Sequence, residues 1–246
     1  MTTSGVQSLE RAFDVLETLG DAARPLSLAE IAAQTGLAAP TAHRLLKTLQ
    51  SRGAVNQGND RNYSLGPTLI ALGRQATPGL AEMAAPILAE LEELSQETAN
   101  LAVLEHDLIV YVAQIASRQQ MRMFTEVGRQ VLPHASGVGK AIMSMLPEHH
   151  VRALLQRTGQ PKYTETTITD ETALIADLRE ARARGFAIDD GEKEVGVRCI
   201  AVAIPGTNPP AAVSISGPAV RMTEVAVAQC VEALREAART LQGDSA

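Results

Sequence analysis

The sequence predicts an α+β chain in two parts: a small N-terminal winged helix-turn-helix and a larger C-terminal unit of helices on an antiparallel sheet. Three observations carry this. Residues 8–52 show three short apolar periodicities of helical spacing in succession. A polar, glycine-containing hairpin pattern follows at once over residues 54–66. Beyond residue 78, strand-like apolar runs cluster between helical stretches, without the regular alternation that a parallel sheet requires.

The first helix reads from "SLERAFDVLETLG", where Leu9, Ala12, Phe13, Leu16 and Leu19 recur on one side. Ser8 is expected to cap its start and Gly20 to end it. In "SLAEIAAQTG", Ser27 and Glu30 have capping-box spacing ahead of an apolar face of Leu28, Ile31 and Ala32, and Thr35-Gly36 supplies a turn. "APTAHRLLKTLQSRG" then opens with Pro40 in its first turn. Its apolar stripe is Ala42, Leu45, Leu46 and Leu49, and the opposite face carries Thr41, His43, Arg44 and Lys47.

Two short helices joined by a glycine turn form a helix-turn-helix, and a third helix with an outward cationic face fits a major groove. An ordinary solvated helix would carry similar charges. The hairpin that follows, "AVNQGNDRNYSLG", reads as a wing and favours the nucleic-acid reading. Arg61 and Asn62 fall near its tip, and Arg52 ends the recognition helix. The expected DNA contacts are therefore Thr41, His43, Arg44, Lys47, Arg52, Arg61 and Asn62, with double-stranded DNA as the partner.

Charge distribution agrees. The net charge of −6 argues weakly against nucleic acid, but residues 1–66 hold six basic and six acidic side chains, so the whole excess lies beyond them. Within residues 40–62 there are four basic groups against one acidic, a local +3.

A linker helix is expected at "PTLIALG", before a break at Pro78-Gly79. The domain reading is 6–66 for the winged helix-turn-helix, 67–77 for the linker helix and 78–246 for the second domain. That domain opens with an amphipathic helix whose stripe is Leu80, Met83, Ala84, Ile87, Leu88, Leu91 and Leu94. "NLAVLE" and "LIVYVAQI" read as strands around a His106-Asp107 turn, and "RMFTEV" as a third. Helices are expected at 137–146, 148–157 and 171–184, strands at "FAIDD", "CIAVAIP" and "AAVSIS", and a closing helix at 221–242.

The segment "SGVGKA" at 136–141 has the look of a phosphate loop. However, the full motif needs a glycine at 134 and a hydroxyl at 141, where His134 and Ala141 stand. What remains is a glycine turn entering a helix, whose unpaired N–H groups suit a small anion such as a carboxylate. Tight packing at a helix start would use the same glycines.

Several function classes are set aside. Cys199 and Cys230 are the only cysteines, which excludes a disulfide framework and a cysteine-based zinc finger. His149-His150 cannot both face one metal from one helix, so no metal or cofactor is expected. No catalytic residue is expected either: Ser136 and His134 are the nearest nucleophile–base pair, and no glycine elbow surrounds them. A DNA-organising protein without an effector would leave the second domain unexplained. The N-terminus lacks a basic-then-apolar signal and no apolar run approaches ~18 residues, so a cytoplasmic protein with no membrane partner is expected.

The chain resembles the IclR family of bacterial transcription regulators from residue 6 to about 240. "VQSLERAFDVLE", "SLAEIAAQTGL", "PTAHRLLKTLQSRG" and "YSLGPTLIALG" carry the resemblance in the first half. "LPHASGVGKAIMS", "GFAIDDGEKEVGVRCIAVAIP" and "SISGPAVR" carry it in the second. It implies a winged helix-turn-helix, a linker helix and a GAF-like effector domain. It also implies a homodimer or homotetramer on a palindromic operator, most commonly a repressor relieved by ligand. Matched by position, the effector pocket would use the amides of Gly137 and Val138, Asp189, Cys199, and the hydroxyls of Ser214 and Ser216. Met121, Met123 and Val131 would form its apolar walls. On this reading "SGVGKA" is a carboxylate cradle, and Lys140 neutralises charge locally or packs. "QMRMFTEVGR", "PHASGVGKA", "GVRC" and "ISGPA" are similar to the branch that controls allantoin and glyoxylate use, which implies a small 2-oxo acid or ureide-pathway acid as effector. Another carboxylate, an aromatic acid or a hydrazide is the alternative.

Overall fold

The computed structural model describes residues 6–22, 24–76, 79–123 and 126–243. Contacts divide the chain into two compact units, Met1–Pro78 and Gly79–Ala246.

The first unit contains α1 (Gln7–Asp21), α2 (Leu28–Thr35), α3 (Ala39–Ser51), the strands β1 (Val55–Gln57) and β2 (Tyr63–Leu65), and α4 (Thr68–Ala76). Its core joins Val15, Leu19, Ile31, Leu46, Val55 and Tyr63. The capping box at α2 is complete. Ser27 Oγ accepts the Glu30 N–H at 3.3 Å, and the Glu30 carboxylate accepts the Ser27 N–H at 2.8 Å. Gly36 ends the helix in the left-handed region, φ +67°. The strands pair antiparallel with Val55 opposite Leu65. Two expectations for α1 are corrected. Ser8 does not cap it; Val6 holds that position without a side-chain bond, and the helix runs past Gly20 to Asp21. Leu9 and Phe13 are 59% and 62% exposed, because α2 and α3 cover only the side that carries Val15 and Leu19.

The second unit opens with α5 (Leu80–Ser95) and then β3 (Thr98–Glu105), β4 (Leu108–Ile115) and β5 (Gln130–Val131). A 3₁₀ turn (Pro133–Ala135) leads into α6 (Gly137–Met145), α7 (Glu148–Thr158) and α8 (Glu171–Arg184). β6 (Ala187–Asp190), β7 (Val197–Ile204), β8 (Ala211–Pro218) and α9 (Glu224–Gly243) complete it. The six strands form one sheet in the order β5-β4-β3-β8-β7-β6, with antiparallel pairing throughout.

Strand alternation sorts the side chains onto two faces. Leu101, Ile200 and Val213 pack against Leu88 of α5 and Leu234 of α9. Their sequence neighbours Ala102, Ala201 and Ala212 face Val138 and Ile142 of α6. In the central strands β3, β7 and β8 these larger residues thus fill one side and alanines the other, while Ile109 and Tyr111 of β4 also face α6. A further layer of Met143, Leu154, Leu174 and Leu178 covers α6 with α7 and α8.

The segment "RMFTEV" is not the third strand. Arg122, Met123 and Glu126 are irregular, while Phe124 and Thr125 lie outside the described residues. The edge of β4 is occupied instead by the following turn: the Gly128 N–H reaches Tyr111 O at 2.7 Å and the Tyr111 N–H reaches Arg129 O at 3.1 Å. On α5 the expected stripe is also shifted, with Glu92 buried and Leu94 exposed. Glu92 accepts the Arg118 N–H at 3.4 Å and pairs with the Arg118 guanidinium at 3.5 Å.

Candidate functional site

Helix α3 presents two distinct sides. Ala42 and Leu46 are buried, and Leu45 and Leu49 are half-buried beside them. His43, Arg44 and Lys47 are exposed on the other side, as is Arg52 at the C-cap. No described residue forms a hydrogen bond or ion pair with their charged groups. Thr41 sits at the flank, half-buried, rather than fully on the exposed side. In the wing, the Gly58 N–H bonds to Asn62 O at 2.9 Å and the Arg61 N–H to Gly58 O at 3.0 Å. Arg61 adopts φ +63° and points its exposed side chain from the tip. Asn62 is half-buried, and its amide donates to Asp60 at 2.9 Å, so it shapes the turn.

The second unit holds a cavity of about 150 Å³ beneath the N-terminus of α6. Ser136 caps this helix, accepting the Gly139 N–H at 3.2 Å. The first-turn N–H groups of Gly137 and Val138 have no intrahelical partner, as at any helix start. Gly137 can lie directly on β7 because it has no side chain; a Cβ there would come within 2.7 Å of Cys199 Sγ. Cys199 stands opposite Asp189 in the β6–β7 pairing and opposite Ser216 in the β7–β8 pairing. These alternating positions bring a carboxyl, a thiol and a hydroxyl to the face under α6.

Of the expected effector residues, Gly137, Asp189, Cys199, Ser216, Met123 and Val131 line this cavity. The other three are not among the lining residues, although the Ser214 hydroxyl reaches the Cys199 thiol. Val138 turns its side chain into the core between α6 and the sheet. Ser214 is wholly buried, with its hydroxyl accepting the Asn100 amide at 3.4 Å. Met121 is 62% exposed, and its carbonyl accepts Arg221 at 2.8 Å.

The cavity's ionisable groups are shaped by burial. Asp189 is 5% exposed, and desolvation raises its carboxyl to about 6 despite an N–H from Glu192 at 2.7 Å. Burial pushes the Cys199 thiol up to about 11, with the Asp189 charge adding to the effect, so it is a neutral lining group. Asp189 and Asp190 belong to β6, and in the turn after them Glu194 is exposed while Glu192 is not. Glu192 is buried and joined to Lys140, whose ammonium also lies 3.0 Å from Asp177. Burial raises Glu192 to about 7 against the pull of Lys140. His134 is also buried; its Nε2 lies 3.0 Å from Pro161 O and its ring stacks on Tyr163. Among the described residues no His, Cys, Asp and Glu side chains are grouped to hold a metal ion.

Residues 8–58 match the IclR helix-turn-helix domain, and residues 76–242 match the bacterial transcriptional regulator IclR C-terminal domain. The chain belongs to the IclR family of transcriptional regulators. The acetate operon repressor of Salmonella typhimurium is 40% identical over 230 residues, covering 90% of this chain and 84% of that one. The HTH-type transcriptional regulator BhcR of Paracoccus denitrificans is 36% identical over 244 residues, covering 97% and 87%. The repressor AllR of Escherichia coli is 33% identical over 242 residues, covering 96% and 89%. A crystal structure of an IclR homologue from Microbacterium hydrocarbonoxydans complexed with 4-hydroxybenzoate aligns with TM-score 0.83 and 27% identity, covering 96% and 98%.

The IclR assignment makes the chain a DNA-binding regulator with an effector-binding C-terminal unit, not an enzyme. The allantoin branch is one of several that it resembles; the acetate operon repressor is more similar than AllR. Among the described residues no helix is long and apolar enough to cross a membrane.

The cavity also contains Tyr111, Arg129, Ser136, Lys193, Glu194 and Val197, which the sequence reading did not select. The strand period of β4 carried a signal for Tyr111, which shares the α6 side with Ile109 two residues earlier. Lys193 and Glu194 had no comparable signal, since the turn between β6 and β7 has no periodicity.

Proposed function

We propose that this regulator is a cytoplasmic repressor that binds a palindromic operator as a homodimer, or as a tetramer built from such dimers, and responds to a small organic acid. The observation that carries the effector reading is the cavity at the α6 N-terminus, where Gly137, Asp189, Cys199 and Ser216 converge. Its volume of about 150 Å³ is below the ~300–1,000 Å³ of sites for drug-sized ligands and suits a two- or three-carbon acid such as glyoxylate or pyruvate. A carboxylate there meets backbone N–H groups at the positive end of the helix.

The DNA reading rests on the exposed His43, Arg44, Lys47 and Arg52, with Arg61 from the wing and Thr41 and Asn62 at its flanks. In a dimer, two α3 helices would enter successive major grooves roughly 34 Å apart. Val6 at the cap of α1, with Leu9 and Phe13 on the helix, forms an exposed apolar stripe, which supports burial against a second copy. The names of the acetate operon repressor and AllR support repression. Boundaries at 6–66, 67–77 and 78–246 follow from this organisation.

An aromatic acid is the second reading, favoured by the 4-hydroxybenzoate in the Microbacterium homologue. Fluorescence anisotropy on duplex DNA from upstream of the protein's own gene tests both. Glyoxylate, pyruvate, allantoate and 4-hydroxybenzoate are each titrated into the complex. The effector is expected to weaken DNA binding roughly 5- to 150-fold, the usual range for coupling between sites. No response to any of the four removes the small-acid reading.

A further inference from the structure

The cavity beneath α6 is lined by ionisable groups of both signs. Arg129 and Lys193 bring two positive charges, and Asp189 and Glu194 bring two negative ones. The set is balanced as it stands. Seating a carboxylate there, which is the reading proposed above and the one on which this inference rests, adds an uncompensated negative charge. In a small space screened from water, that charge is expensive unless a cation or a proton accompanies it.

The surrounding groups leave little choice. Lys140 of α6 is 1% exposed and is committed to Asp177 and Glu192. The Lys193 ammonium, already counted, rests over the Tyr163 ring at 3.3 Å from its centroid. Asp190 is occupied by Arg198 at 2.8 Å. Tyr111 and Cys199 are held in their protonated forms by burial, so neither can take up a proton. Glu194 is exposed and remains hydrated. Glu192 is engaged by Lys140 and does not line the cavity. Asp189 lines it, is almost wholly buried, and receives only backbone N–H groups, from Glu192 at 2.7 Å and from Lys193.

We propose that a carboxylate effector enters this cavity together with one proton, which Asp189 holds, so that Asp189 meets the bound acid as a hydrogen-bond donor instead of as a second anion. Desolvation has already brought the Asp189 carboxyl to about 6, so the proton is readily acquired near neutrality. The bound anion then holds it there at higher pH. Above about pH 6 binding draws a proton from solution, and below that pH Asp189 already carries it.

Titration calorimetry of the full chain with glyoxylate and with pyruvate tests this, in two buffers of different ionisation enthalpy from about pH 5.5 to about pH 8.5. The expected proton uptake approaches one per site at the upper end and falls towards zero at the lower. Over the rising part, Kd increases by up to about tenfold per pH unit. Asp189→Asn is expected to bind with no proton uptake and little pH dependence, whereas Glu192→Gln retains both. A wild-type Kd that is flat with pH and shows no uptake overturns the proposal, and this measurement needs no variant to fold. Uptake that survives in Asp189→Asn and disappears in Glu192→Gln also overturns it. Absence of binding by both acids at every pH defeats the effector assignment of the cavity and this inference with it; binding without uptake removes the proton alone.

Discussion

The ammonium of Lys140 lies 3.0 Å from an oxygen of Asp177 and also holds the carboxylate of Glu192. One buried charge therefore ties the helix beginning at the glycine loop to both α8 and the turn that closes the cavity. Removing it strands two carboxylates in a low-dielectric site. Lys140→Met is expected to destabilise the second unit by about 3–5 kcal/mol, read as a lower urea midpoint. The paired change with Asp177→Asn and Glu192→Gln should recover much of that loss, because no buried charge then lacks a partner.

Gly139 and Gly137 respond to alanine in different ways. Alanine is the better helix former by about 1 kcal/mol, so propensity alone predicts a gain at both. The contacts predict the opposite sign. At Gly139 a Cβ would lie 2.3 Å from Pro133 O and 2.5 Å from its Cα, backbone atoms of the 3₁₀ turn that cannot yield. At Gly137 the nearest atom is the Cys199 Sγ at 2.7 Å. Gly137→Ala should therefore regain part of its thermal stability when combined with Cys199→Ala, while Gly139→Ala gains nothing from it.

Asp189 gives stability a pH dependence of defined sign. Its carboxyl titrates near 6 in the fold and near 4 when unfolded, so the unfolded chain loses the proton first. The associated stability is present below pH 4 and is lost as pH rises through about 6. Asp189→Asn keeps an acceptor for the Glu192 N–H but carries no charge. It should raise the unfolding midpoint at about pH 8, by the equivalent of about 3 kcal/mol, and change it little at about pH 4.

Much of this site was legible in the sequence. Residues under strong local rules read correctly: Ser27 and Glu30 as a capping box, the α3 stripe, and the strands that carry Asp189, Cys199 and Ser216; that these three share one face came from the resemblance and not from any pairing legible in the sequence. What failed was decided by tertiary context. Leu9 and Phe13 have helical spacing, but the number of layers packed on a helix, not its period, determines which face is buried. Lys193 and Glu194 lie in a turn positioned by distant partners, with Thr164 and Thr167 bonding to Gly191 O and Glu192 O. Arg122 and Met123 lost a predicted strand because the next turn took the β4 edge first.

The apolar stripe of α1 yields a prediction for assembly. Phe13 is exposed and unsupported by its own unit, so Phe13→Glu should leave folding intact. Light scattering should then show a smaller assembly than the wild type at equal concentration, and DNA binding should weaken with it.

The exposed side of α3 is the surface proposed to read DNA. The most direct test of that proposal is the salt dependence of DNA affinity for the wild type and for Arg44→Ala with Lys47→Ala. Both side chains are exposed, so the unfolding midpoint should not change. If both contact phosphates, the slope of log K against log salt falls by about 1.8, and affinity for the upstream duplex drops at every salt concentration. An unchanged slope and affinity in the folded double variant would contradict the assignment.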